Sequence, residues 1–239
     1  MFKIALNAGH YLKTAGKRCD KKFDKNETRE WVLNDRICDK IETKLKAYDG
    51  YKLLRVDDTT GATDVSLTDR CKKANSFGAD FYLSIHHNAG VNGGTGGGVV
   101  AYVYTKVDDI TKAWQKELYD AIVKRTGLKG NRATPLAKSN LAECRQTNMP
   151  AVLMECGFMD SSTDVPIILT DAFAEQVATA CVEVIVKRGK LTKKQPTPVP
   201  ETETGTIYRV QVGAYKDKVN AEKLVAALKK DGYSAYITT

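Results

Sequence analysis

Hydrophobic positions follow two rhythms over residues 1–188. Short apolar runs alternate with stretches in which apolar residues recur every three or four positions. "KIALNA", "YKLLRV", "DFYLSIH", "GGVVAYVYT" and "AVLMECGF" have the length and β-branched content of buried strands. Between them, Leu33, Ile37, Ile41 and Leu45 mark one helix, with Thr28 as its expected N-cap. "SLTDRCKKANSFG" and "ITKAWQKELYDAIVKRTG" read as helices closed by Gly78 and Gly127, and "DAFAEQVATACVEVIVKRG" as a final helix. Strand and helix in alternation predict an α/β fold, a single mainly parallel or mixed sheet with helices on both faces. In such sheets, sites gather outside the carboxyl ends of the strands.

The rhythm stops at residues 189–206, where Pro196, Pro198 and Pro200 stand among Thr, Glu and Lys. That composition buries no core and predicts an extended linker. Beyond it, residues 207–239 show Val210 and Val212 alternating, then Ala221, Leu224, Val225 and Leu228 on one helix face, then "YSAYIT". This is the pattern of a small β-α-β module, too short to bury a core well by itself.

Composition changes this picture little. Apolar content of 42% and charged content of 28% are ordinary for a globular protein, and the net charge of +8 favours polyanionic partners such as nucleic acid or an anionic cell wall. No segment reaches the apolar length of a membrane span, and the N-terminus has no signal-peptide pattern, so synthesis in the cytoplasm is expected. The six cysteines form no C-x-x-C pair and read as reduced, buried thiols.

The chemistry lies in the three histidines. His10 follows the first strand, and His86 and His87 end a later one. Alternation sends His86 and His87 to opposite faces. Two histidines and a carboxylate make a common catalytic zinc site with one position open to water. Glu27 and Glu30, at the start of the first helix, are both candidates for that carboxylate. Glu155 ends an otherwise apolar strand, where a carboxylate suits proton transfer better than stability. "GGTGGG", residues 93–98, lacks the lysine and following helix of a phosphate loop and reads as a mobile lip.

"LNAGH", "ETREWVLND", "LTDRCKKANSFGADFYLSIHHNAG" and "NMPAVLMECGF" resemble, in order, the motifs of the zinc-dependent type 3 N-acetylmuramoyl-L-alanine amidases. The resemblance implies one zinc ion held by His10, Glu30 (with Asn34 four residues on) and His86, and Glu155 as catalytic acid and base. It further implies hydrolysis of the amide between N-acetylmuramic acid and L-alanine of peptidoglycan, and Asn88 and Arg145 are candidates for substrate contact. One departure is Asn7-Ala8 before Gly9-His10, where relatives often have Asp-Pro. The tail is similar to half of a SPOR-type peptidoglycan-binding module, which leads us to expect pairing with a second copy as a homodimer. The expected partner is therefore peptidoglycan, not nucleic acid, without membrane insertion. The layout resembles phage endolysins and mother-cell lysins, which reach the wall after holin- or lysis-dependent release. A glycosidase working through two carboxylates would leave the histidines unexplained; a non-catalytic wall-binding protein would not need all four residues.

Overall fold

A computed structural model describes residues 1–195 and 210–238. They fall into two compact units, Met1–Lys193 and Lys194–Thr239.

The first unit is built on a six-stranded mixed sheet in the order β3-β1-β4-β7-β5-β6. The strands are β1 (Phe2–Ala8), β3 (Tyr51–Arg55), β4 (Phe81–Asn88), β5 (Val100–Val103), β6 (Leu136–Lys138) and β7 (Ala151–Phe158). β3, β1, β4 and β7 run parallel, and β5 lies antiparallel to β7. The carboxyl ends of β1, β4 and β7 therefore share one rim. A short pair, β2 (Tyr48–Asp49) with β8 (Thr192–Lys193), lies outside the sheet. The first residues of the expected linker thus belong to this unit; residues 196–206 lie outside the described residues.

Helices α1 (Glu30–Leu45), α3 (Asp109–Thr126) and α6 (Asp171–Gly189) pack on one face around Phe81, Leu83, Ile85 and their neighbours. The other face carries α2 (Leu67–Phe77) and the short α4 (Ala142–Arg145), over a smaller core of Ala5, Ala74, Tyr82 and Ala151. A further short helix, α5 (Val165–Ile168), follows β7. The period-two pattern of β4 explains this division: Tyr82, Ser84 and His86 face α2 and α4, while Phe81, Leu83, Ile85 and His87 face the larger core.

Local signals set several helix ends, those at Gly78 and Gly127 as expected. Ser66 caps α2 by accepting from the Asp69 amide, and Gly78 and Gly127 close α2 and α3 in the left-handed conformation. The first helix differs. It starts at Glu30 behind Arg29, which makes no side-chain cap. Thr28 does not cap it, because its segment is extended: Arg18 and Arg29 form an isolated β-bridge, and the Asp24 carboxylate takes the Thr28 amide.

In the second unit, α7 (Lys218–Lys230) is capped by Asp217 and carries Leu224 and Leu228. Val210 and Val212, and residues 233–238, expected in strands, have no strand pairing among the described residues. Strands exist only where a neighbouring strand takes up their backbone groups.

No helix among the described residues is long and apolar enough to cross a membrane. All six cysteines are free and buried.

Candidate metal and catalytic site

Three segments deliver His10, Glu30 and His86 to the sheet rim. His10 lies just beyond β1 in a left-handed conformation (φ 68°), an uncommon backbone for a non-glycine residue, and strained unless its surroundings hold it. Arg70 from α2 supplies that hold. Its buried guanidinium donates to the carbonyls of Ala8 (2.7 Å) and His10 (2.8 Å) and to Oδ1 of Asn7 (2.6 Å). Asn34 adds a bond to the Gly9 carbonyl at 3.1 Å. Gly9 itself is a matter of space: a Cβ there would fall 2.0 Å from the His86 ring.

Glu30, in the first turn of α1, is buried between the two imidazoles. Its Oε1 is 3.1 Å from His86 Nδ1, and its Oε2 is 3.2 Å from His10 Nε2 and 3.8 Å from Lys17 Nζ. Glu30 Oε2 nonetheless makes no hydrogen bond of acceptable geometry. One donor atom from each of His10, Glu30 and His86 lies within 4.8 Å of the others. Two imidazoles and a carboxylate with a buried oxygen left unpartnered are the donor set that a zinc ion takes. The residues therefore fit the metal.

Charges in the trio reinforce one another. Burial works against the Glu30 carboxylate, but the imidazoles of His10 and His86 hold it well below its usual range. Burial lowers His86, yet the carboxylates of Glu143 and Glu30 outweigh it and raise the imidazole to about 10. A metal ligand must be the neutral imidazole, so metal uptake here would release a proton.

His87 takes the other face. It is buried, with Nδ1 2.8 Å from Asn34 Oδ1, and its backbone amide donates to Glu30. Burial lowers it to about 4, so it stays neutral. Glu27 is engaged elsewhere, in an ion pair with Arg18 at 2.9 Å.

Glu155 faces His86 directly, because the two are register partners across the parallel β4–β7 pair. Its Oε2 is buried without a partner. Burial raises its carboxyl to about 7, with His86 opposing and Glu30 adding to the rise. A carboxyl titrating near neutrality beside a metal position can accept and return a proton.

The other candidates have their own local partners. The Asn88 side chain accepts from the Ala89 amide, and Arg145 is exposed and bonded to Asn140. The glycine loop is fastened rather than a free lip. Asp160 takes the amides of Gly90, Val91 and Asn92; Asp164 takes that of Gly98; Asn131 takes that of Gly97.

Sequence reasoning passed over Glu143, Arg70 and Lys17. Glu143 is buried on α4 with Oε2 3.5 Å from His86 Nε2. Its only trace in the sequence is indirect: Asn7 stands where an acid is usual, and Arg70 still needs an acidic counterpart nearby.

Residues 4–187 match the family model described as N-acetylmuramoyl-L-alanine amidase, and residues 187–239 match that of the SPOR domain. The chain is 31% identical over 239 residues to the N-acetylmuramoyl-L-alanine amidase CwlM of Bacillus licheniformis, covering 99% of this chain and 85% of that one. It is 33% identical over 202 residues to the endolysin of Bacillus phage SPP1, covering 84% and 70%. The crystal structure of an N-acetylmuramoyl-L-alanine amidase from Clostridium difficile 630 superposes with a TM-score of 0.69 at 26% identity, covering 78% of this chain and 95% of that one.

Proposed function

With the premise that this chain belongs to the N-acetylmuramoyl-L-alanine amidase family and is a peptidoglycan amidase, we propose that it works through one zinc ion held by His10, Glu30 and His86, with Glu155 carrying the proton. The observation that carries this reading is the pairing of His86 with Glu155 across β4 and β7, beside a Glu30 oxygen that nothing satisfies. Held by His10, Glu30 and His86, zinc would supply Lewis acidity, polarising the amide carbonyl and making water more acidic.

The chain's own residues do the rest. The unpartnered Glu155 oxygen takes one proton from the attacking water. The water oxygen joins the lactyl carbonyl carbon, the C–N bond breaks, and Glu155 returns the proton to the departing L-alanine nitrogen. The products are a free carboxylate on the muramic acid and a free amine on the stem peptide. Lys17, with its side chain 46% exposed and Nζ 3.8 Å from Glu30, adds positive charge beside the metal position.

The amidase and SPOR segments both direct the protein to peptidoglycan. We place residues 1–188 as the catalytic part and 207–239 as the wall-binding part. The tail exposes the apolar side chains of Val210, Val212, Val219 and Tyr236, which pairing with a second copy of the same tail would cover. Access to the wall follows lysis of the producing cell, by analogy with the phage endolysin relative.

The test is digestion of purified cell walls. Release of amino groups without reducing sugars, stopped by EDTA and restored by zinc, is the expected result. Reducing sugars would identify a glycosidase, binding without release a non-catalytic protein, and EDTA-resistant amine release would remove the metal. Sedimentation of the full chain, monomeric across the micromolar range, would remove the paired tail.

A further inference from the structure

We infer that Glu143 is a positioning residue of the site: it accepts the Nε2 proton of His86 and so leaves Nδ1 as the atom that faces Glu30 and the metal position. This rests on the zinc reading above. Nδ1 of His86 points to Glu30 at 3.1 Å, and the buried Nε2 on the far side has no hydrogen-bond partner. A buried N–H without an acceptor is costly. The Glu143 carboxylate, with Oε2 3.5 Å away, needs only a small closure to become that acceptor.

Glu143 is built for the task. It is 3% exposed, and its Oε1 accepts from Asn7 Nδ2 (2.8 Å), Tyr82 OH (2.5 Å) and Ser84 Oγ (3.3 Å). Those three side chains stand with His86 on the sheet face under α4. The Asn7 amide cannot turn over, because its Oδ1 accepts from Arg70, and a guanidinium only donates. Position 143 must therefore offer an acceptor to Asn7. With Glu both oxygens accept, and Oε2 remains free for the imidazole N–H. Partners of this kind, in the shell outside the ligands, fix which nitrogen of a histidine carries the proton.

The network predicts what glutamine would do. In Glu143→Gln the carbonyl oxygen has to face Asn7 and Tyr82, so the NH2 faces His86. A donor there leaves the Nε2 proton without an acceptor, so the ring keeps its remaining proton on Nδ1, where it blocks the metal. Adding Asn7→Asp reverses this. The new carboxylate at position 7 accepts from both Arg70 and the glutamine NH2, which turns the glutamine oxygen back toward His86.

The experiment measures zinc affinity by chelator competition and the protonation of His86 by long-range proton–nitrogen NMR of the metal-free full chain, in which only three histidines give signals. E143Q is expected to lose roughly 10- to 100-fold in zinc affinity and to show a bare Nε2. The N7D/E143Q protein is expected to recover both, which a merely structural role for Glu143 does not predict. Thermal unfolding checks that each variant is folded; should E143Q alone fail to fold, the charge-balanced double variant decides. Wild-type affinity and a protonated Nε2 in E143Q, or a double variant no better than E143Q, overturns the inference. A wild-type protein that takes up no zinc overturns instead the metal reading on which it rests.

Discussion

Replacing Glu155 with glutamine separates what this side chain does for catalysis from what it costs the fold. Glutamine keeps the shape, stays neutral and cannot carry a proton. Turnover should fall by roughly 10²- to 10⁴-fold with zinc retained. Stability should move the opposite way, by an amount set by burial. The folded protein holds the Glu155 carboxyl at about 7, against an ordinary value of 4.5. At about 1.4 kcal/mol per pH unit, ionising it inside the fold costs up to about 3 kcal/mol, less what water at this partly exposed side chain screens. The sign follows from linkage: a carboxyl raised by folding contributes stability that is complete below pH 4.5 and is lost as pH rises through 7. Wild type should therefore lose stability relative to E155Q across that interval, and the gap should level off above it. Urea denaturation of both metal-free proteins at several pH values measures the gap directly, and the comparison cancels whatever glutamine does to packing. A gap that stays flat with pH would refute the claim that burial perturbs Glu155. Loss of zinc together with activity would make Glu155 a ligand and leave Glu30 without its assigned role.

His86→Ala should abolish stoichiometric zinc by metal analysis, whereas His87→Ala should keep zinc and cost about 1–3 kcal/mol through the buried bond to Asn34. Gly9→Ala should lose zinc affinity in chelator competition, because its Cβ would lie 2.0 Å from the His86 ring and push that ring from its place; unchanged affinity would show that the loop relaxes freely. Arg70→Met should be destabilised by roughly 3–5 kcal/mol in denaturant titrations, since it removes donors to Asn7, Ala8 and His10 and takes a neighbouring positive charge from buried Glu143.

The local choices were written in the chain. Ser66, Gly78 and Gly127 set helix ends through side-chain and backbone geometry that needs no distant partner, and the apolar runs set the strands. The alternation of β4 already sent His86 and His87 to opposite faces. Motif resemblance pointed to His10, Glu30, His86 and Glu155 as a set. Other features depended on what the folded chain brought near. Thr28 has the chemistry of a cap, but the Arg18–Arg29 bridge holds its segment extended and the helix begins without it. The glycine run looked loose until Thr163 and Asp164, more than sixty residues on, were seen to take the amides of Gly96 and Gly98. Glu143 carried no signal of its own, because its role exists only where β1, β4 and α4 meet: the residues that make it a partner of His86 are Asn7, 136 positions before it, and Tyr82, 61 before it. Periodicity and turn chemistry are properties of neighbouring residues, so sequence determines them. A buried polar network is a property of sheet order and register, and only the tertiary structure decides which distant side chains must satisfy one another.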